Sequence, residues 1–194
     1  MQSRKLRCLL ILILVVFITI PSSAQSPAPS LVFWDNLKKH CGKSYEGEII
    51  SGADNDTFKG KTLKMQVLSC ENNVIKIPFY VGEDKSRTWV FTLIDNKILL
   101  KHDHRHEDGS SDKITMYGGK STNVGQLDLQ VFPADDETTF MLPQAAANVW
   151  WVGLKDDSFT YNLRRIGSER YFSVKFNLAK PIILDWRPWG WKAD

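Results

Sequence analysis

The stretch RTWVFTLIDNKILLKHDHRH, residues 87–106, predicts two β-strands joined by a tight turn. Residues 87–94 are rich in β-branched and aromatic side chains, which favour extended backbone. Residues 98–106 alternate between apolar or histidine side chains and mostly charged ones, as the two faces of a strand do. Asp95 and Asn96 favour a tight turn. Because so short a connection joins only antiparallel strands, we expect a β-hairpin here.

The same pattern of short strand-like runs separated by turn residues continues over most of the chain. It predicts an all-β fold of about 8–10 antiparallel strands that pair in sequence order. An open sheet of that size leaves two exposed edges, so an antiparallel meander barrel is favoured, with a two-sheet sandwich as the alternative. The predicted strands are residues 44–51, 62–70, 74–81, 87–94, 98–106, 113–118, 126–132, 149–154, 158–165 and 170–178.

A short N-terminal helix is predicted ahead of the first strand. Leu31, Trp34 and Leu37 recur at helical spacing, and Ser30 is a suitable residue to cap the first turn. Residues 133–148 interrupt the strand pattern with a loop that can carry a turn of helix.

The first 24 residues have the organisation of an export signal. Three basic residues precede an apolar run at positions 9–20, and small residues follow it. The run is shorter than the roughly 20 apolar residues of a membrane helix, so no stable membrane span is expected after cleavage. The expected organisation is a signal peptide (1–24), a flexible spacer (25–29), a β-barrel domain (30–180) and a Trp-rich C-terminal tail (181–194).

Removal of this signal balances the charge of the mature chain. The whole chain has 25 Lys and Arg against 22 Asp and Glu, and the signal contains three basic residues and no acidic ones. A chain without net charge has no global field that attracts phosphate backbones, so nucleic acid is not an expected partner.

The mature chain keeps two cysteines, Cys41 and Cys70. Exported proteins meet an oxidising environment, so we expect these two residues to form a disulfide. The alternative is two separate buried thiols.

Three of the four histidines lie at every second position of the 98–106 strand. His102, His104 and His106 therefore share one face with Ile98 and Leu100. We expect that face to point into the barrel, with His106 at the rim.

The neighbouring strands extend this predicted pocket. If residues 107–111 form the hairpin loop, His102 lies opposite Met116 on the next strand. Trp89 shares a face with Phe91 and Leu93, which also places it inside. The predicted ligand-binding residues are His102, His104, His106, Trp89 and Met116.

A metal site is the second interpretation of the histidine strand. His-x-His on a strand can direct two nitrogens at one zinc or copper ion. His102 and His106 lie about 13 Å apart along an extended strand, too far to share one ion. His102, His104 and Asp112 are therefore the candidate ligands, with Glu107 as an alternative to Asp112. No cofactor is predicted otherwise.

Other motifs carry less information. The GGKST sequence at 118–122 lacks the first glycine of a phosphate-binding loop, since Ile114 stands there, and GGKSTNVG is expected to form a flexible connection. No recognisable catalytic pattern occurs, so a binding role is favoured over an enzymatic one. The tail residues Trp186, Trp189 and Trp191 either fold back over the barrel or form an exposed aromatic contact for a partner.

The segments SRTWVFTL, LKHDHRHEDGSSDKITMYGG, FPAD, NVW and LRRIGSERYF together resemble an uncharacterised family of exported bacterial proteins. The resemblance covers most of residues 41–178 and implies a periplasmic or secreted bacterial protein. A helix leading into a strand meander is also distantly similar to the lipocalin and calycin group, whose barrels bind small apolar ligands. The Gly-x-Trp of typical lipocalins is absent, since Tyr45, Glu46 and Gly47 occupy the first strand.

Three functional hypotheses follow. The first is an exported lipocalin-like barrel that binds a small molecule. The second is a metal-dependent enzyme or metal-binding protein that uses the histidine strand with zinc or copper. The third is a non-catalytic envelope or interaction protein. The ligand and the oligomeric state are left open by the sequence.

Overall fold

The computed structural model describes residues 26–52 and 58–192, so the predicted signal peptide lies outside the described residues. Within them the helices are α1 (Pro29–Lys38) and α2 (Asp136–Met141), and a 3-10 turn follows at Pro143–Ala145. The strands are β1 (Ser44–Ser51), β2 (Leu63–Gln66), β3 (Ser69–Glu71), β4 (Val74–Val81), β5 (Asp84–Ile94), β6 (Lys97–His104), β7 (Tyr117–Lys120), β8 (Leu129–Pro133), β9 (Asn148–Lys155), β10 (Ser158–Arg165) and β11 (Tyr171–Asn177).

These strands form one antiparallel sheet that curls into a nearly closed barrel. The strand order is β7, β6, β5, β4, β2, β1, β11, β10, β9, β8, and β3 pairs with β4 beside this path. The predicted all-β meander barrel is therefore confirmed, and the sandwich alternative is wrong. One predicted strand, residues 62–70, is divided into β2 and β3.

The two end strands, β7 and β8, meet along a seam. The N–H of Asp135 donates to the carbonyl oxygen of Gly118 at 3.0 Å. The hydroxyl of Thr138 accepts from the N–H of Gly118 at 2.7 Å and donates to its carbonyl oxygen at 2.8 Å. A Cβ at Gly119 would collide with the carbonyl oxygen of Pro133, so glycine permits the close approach.

The segment that leads into this seam differs from the prediction. The strand expected at 113–118 starts instead at Tyr117, so part of the expected flexible connection at 118–125 is strand β7. The Asp112 carboxylate accepts from the N–H of Ile114 at 2.8 Å, which is turn geometry. Met116 has a left-handed φ of 58°. These two features interrupt the alternation of faces that the sequence pattern suggested.

Helix α1 covers one end of the barrel. The helix begins at Pro29, and Ala28 occupies the cap position. The prediction that Ser30 caps the helix is wrong, because Ser30 lies inside the first turn and its hydroxyl donates to the carbonyl oxygen of Asn96 at 2.6 Å. Asn96 lies in the β5–β6 turn, so α1 packs at the end of the barrel that holds this turn.

The barrel interior is divided into a packed half and an open half. Near α1, side chains fill the interior, whereas the opposite end of the barrel is open. The buried residues of the packed half include Phe33, Trp34, Leu37, Tyr45, Met65, Ile98, Phe132 and Phe159. The disulfide predicted between Cys41 and Cys70 is confirmed.

The Trp-rich tail lies along the outside of the barrel. Ile182 bridges to Ser44 of β1. The Trp186 ring packs edge-on against Tyr80 at 5.5 Å, and the ammonium groups of Lys64 and Lys85 lie 4.5 and 4.8 Å from its centre. The tail therefore folds back on the sheet, as the first of its two interpretations predicts. No described helix is long and apolar enough to cross a membrane.

Candidate functional site

The inward-facing residues at the open end form three layers that follow from the strand register. Because alternate residues of a strand face inward, the layers are about 6–7 Å apart along each strand. The outer layer contains Arg87, His104, Asn148 and Arg165; the middle layer Trp89, His102, Trp150 and Leu163; and the inner layer Phe91, Leu100, Val152 and Tyr161.

The outer two layers, together with Tyr161 of the inner layer, enclose a cavity of about 670 Å³. Its opening, called the mouth below, is completed by loop residues that also line the cavity: Ile114, Leu142, Gln144, Glu169 and Arg170. Small-molecule sites are typically clefts of about 300–1,000 Å³ with mostly apolar walls and few polar groups. The cavity therefore has the size and form of a small-molecule site.

His102 lies at the floor of this cavity and is 3% exposed. Its Nδ1 lies 2.9 Å from the carbonyl oxygen of Tyr117, so Nδ1 carries the proton that is donated. Its Nε2 lies 2.7 Å from the hydroxyl oxygen of Tyr161 and accepts from it. Burial lowers the pKa of His102 to about 3, although the hydrogen bond to Tyr117 opposes this change. The ring is therefore neutral at physiological pH.

His104 lies one layer nearer the mouth and is half-buried. Its Nε2 lies 3.1 Å from the hydroxyl oxygen of Tyr117. Burial lowers the pKa of His104, and the nearby Arg87 adds to this effect against the opposing charges of Asp112 and Asp103. The Tyr117 ring stacks on His102 with centroids 4.6 Å apart and lies 5.4 Å from the centre of His104, so one tyrosine orients both imidazoles.

Aromatic rings line the cavity around His102. Trp89 stacks between Phe79 at 4.8 Å and Tyr161 at 4.3 Å, and the Trp150 ring lies 5.1 Å from His102. Burial raises the pKa of Tyr161 well above its ordinary value, partly opposed by hydrogen bonding from the side chains of Trp89 and Trp150. The Tyr161 hydroxyl therefore stays protonated and available as a donor to His102.

The structure brings together three of the five predicted ligand-binding residues. Trp89, His102 and His104 line the cavity. His106 is exposed beyond the end of β6, and Met116 is 39% exposed; neither lines the cavity. The predicted register is wrong by one residue, because His102 pairs with Tyr117 and not with Met116.

Sequence reasoning missed the tyrosines that hold the imidazoles. Tyr117 occupies the place expected for Met116, and the left-handed backbone of Met116 shifts the register. Tyr161 lies 59 residues from His102 in the chain. Its alternation with Phe159 and Leu163 indicated an inward position, but no local pattern indicated its partner.

The predicted metal ligands are not arranged as a cluster. Both ring nitrogens of His102 are engaged in hydrogen bonds. The Asp112 carboxylate is engaged by the N–H of Ile114, and Glu107 is exposed. Within residues 26–52 and 58–192, no group of three or more His, Cys, Asp or Glu residues is arranged to hold a metal ion. A zinc or copper site here remains a prediction from the sequence.

Three arginines, Arg87, Arg165 and Arg170, lie at the mouth. The guanidinium of Arg87 pairs with Asp84 at 2.6 Å and lies 5.0 Å from the centre of the Phe58 ring. Arg165 donates from Nε to Asn148 at 2.9 Å. Arg170 is exposed beside the mouth. Among the described lining residues Glu169 is the one carboxylate.

The fold and the cavity define a class of protein: an antiparallel β-barrel that is closed at one end by a helix and open at the other. Comparisons with protein-family models, with curated proteins and with solved structures found no match to this chain. Its function must therefore be argued from the geometry of the cavity.

Proposed function

We propose that this protein binds a small molecule in the cavity at the open end of the barrel. The observation that carries the proposal is the cavity itself, about 670 Å³ in volume and walled by aromatic rings. Protein interiors are normally close-packed, and unfilled apolar volume costs stability. The other half of this barrel is filled with side chains, so an unfilled half is consistent with space kept for a ligand.

The polar groups at the floor support binding over covalent catalysis. The hydrogen bonds of His102 to Tyr117 and Tyr161 fix one neutral tautomer, so this ring presents no free nitrogen to a substrate. The described residues of the cavity wall include no serine or cysteine that an imidazole could activate. A pre-organised polar floor under aromatic walls suits reversible recognition of a ligand.

We also propose that the protein is exported. The predicted signal sequence and the Cys41–Cys70 disulfide support this proposal. Fractionation of cells that express the whole chain tests it: the protein should be recovered outside the cytoplasm with both cysteines oxidised. Recovery of reduced, cytoplasmic protein would contradict export.

Native mass spectrometry of the purified protein tests the binding proposal. The expected result is a mass above that of the chain, which returns to the chain mass when the protein is denatured. A matched pair of variants locates the ligand. Leu163→Trp fills the cavity and should remove the added mass, whereas Lys175→Trp, on the exposed outer face of β11, should retain it. Retention of the ligand by a folded Leu163→Trp variant would contradict the proposal.

A further inference from the structure

We infer that the ligand is an organic monoanion, a flat apolar molecule whose carboxylate is held at the mouth by Arg165 and Arg170. This inference rests on the proposed function and specifies its ligand class. Three observations on the two guanidinium groups support this inference: their position, their lack of partners among the described residues, and the charge around them.

Arg165 and Arg170 lie opposite each other where β10 turns into β11. The N–H of Arg165 donates to the carbonyl oxygen of Arg170 at 3.0 Å, so the two residues are paired across the turn. Both line the cavity. Like charges directly opposite each other destabilise an antiparallel pair. A bound anion would turn this repulsion into attraction.

Neither guanidinium is neutralised by the residues that the structure describes. Arg165 uses Nε to bond Asn148 at 2.9 Å, which orients the group and leaves its two terminal nitrogens without a partner in the described chain. The Arg170 side chain forms no hydrogen bond or ion pair with any described residue. Arg87, the third arginine at the mouth, is already paired with Asp84. Free terminal nitrogens of a guanidinium match the geometry of a carboxylate.

The charged residues that line the cavity leave one positive charge for a ligand to balance. With Arg87 neutralised by Asp84, the lining retains two positive charges, on Arg165 and Arg170, and one negative charge, on Glu169. The remainder is a single positive charge. A carboxylate balances it, whereas a phosphate monoester, with close to two negative charges at neutral pH, exceeds it.

The floor of the cavity is unfavourable for the carboxylate of the ligand and suits its apolar part. The imidazole of His102 has both nitrogens engaged and is neutral, so the floor offers no cation to a buried anion. Burying a carboxylate without a partner is costly. The rings of Trp89 and Trp150 lie one layer below the mouth, about 6–7 Å along the strands. The ligand should therefore place its acid at the mouth and its flat ring system beside these indoles.

Isothermal titration calorimetry with three matched probes tests the inference: 2-naphthylacetate, its neutral amide 2-naphthylacetamide, and 2-naphthyl phosphate. At pH 7.5 the carboxylate should bind at least about tenfold more tightly than the amide, as hydrogen bonds to charged groups imply. It should also bind more tightly than the phosphate. Arg165→Gln and Arg170→Gln should each lower the ratio of carboxylate affinity to amide affinity toward one.

Arg164→Gln is the matched control, because Arg164 neighbours Arg165 on β10 and faces outward. This variant should keep the wild-type preference for the carboxylate. Equal binding of acid and amide by the wild-type protein would overturn the anion inference and leave the proposed binding function intact. Tighter binding of the phosphate would overturn the charge count. If none of the probes binds at millimolar concentration, the inferred ligand class is wrong, whereas the proposed function is decided by the native mass spectrometry of the wild-type protein and Leu163→Trp.

Discussion

Acidification should destabilise the folded protein through His102. In the unfolded chain this imidazole takes up a proton near its ordinary pKa of 6.5, whereas burial in the fold lowers the pKa to about 3. Between these values the unfolded state binds one more proton than the folded state, so stability falls as the pH decreases. The contribution is complete above pH 6.5 and is lost progressively toward pH 3.

The size of the effect follows from the two pKa values. Between pH 7 and pH 4.5, one imidazole with these pKa values lowers the free energy of unfolding by about 2.5 kcal/mol. The lowered carboxyl pKa values of Asp84 and Asp135 act in the same direction but mainly below about pH 4. Comparison with a variant that lacks only His102 removes their contribution.

Urea unfolding at a series of pH values measures the effect in the wild-type protein, in His102→Gln and in His106→Gln. The difference in free energy between pH 7 and pH 4.5 should be about 2.5 kcal/mol smaller in His102→Gln. His106→Gln is the control, because His106 is exposed and lies outside the cavity wall. It should show nearly the same difference as the wild-type protein.

NMR titration of the wild-type histidine ring protons supplies a second measurement that does not depend on the variant folding. The His102 resonances should not shift between pH 7.5 and pH 4.5. A His102 midpoint near pH 6, or a pH dependence that persists unchanged in His102→Gln, would refute the argument from burial.

Three further predictions concern the seam and the histidine strand. Lys101→Met should destabilise the protein by about 1–3 kcal/mol in urea unfolding, because the buried Lys101 ammonium pairs with Asp135 at 2.8 Å and with Glu137 at 2.6 Å. A loss below 0.5 kcal/mol would show that the pair does not hold the seam. Gly119→Ala should cost more than about 2 kcal/mol, since its Cβ collides with the backbone of Pro133; an unchanged melting temperature would contradict the close approach. Zinc or copper should leave the melting temperature unchanged, because both nitrogens of His102 are engaged; stabilisation that His104→Ala abolishes would support a metal site instead.

Local patterns in the sequence were sufficient for most of the barrel. The bounds of β1, β4 and β10 match the predicted strands, and the alternation in residues 98–106 places His102 and His104 on the cavity side of β6. These features depend on side chains one or two residues apart, whose faces are set by strand geometry.

The remaining features of the site depend on distant residues and on backbone exceptions. The left-handed φ of Met116 moves Tyr117 into the register position beside His102, and no alternation pattern predicts such a residue. The partnership of His102 with Tyr161 requires the barrel to close, so it links residues that only the three-dimensional path brings together. The pairing of Arg165 with Arg170 follows from the β10–β11 turn, which brings the two residues opposite each other.

Because of the seam between β7 and β8, the hydrogen bonding between neighbouring strands is not uniform around this barrel. Elsewhere each wall strand exchanges a ladder of hydrogen bonds with its neighbour, but here Gly118 carries the junction through Asp135 and Thr138. Among the wall strands, amide hydrogen exchange would therefore be fastest at this seam, and local opening would separate the wall there first. Because Tyr117 begins β7, each such opening would expose His102 and His104 at the side of the barrel. A ligand could then enter the interior through the wall as well as through the mouth.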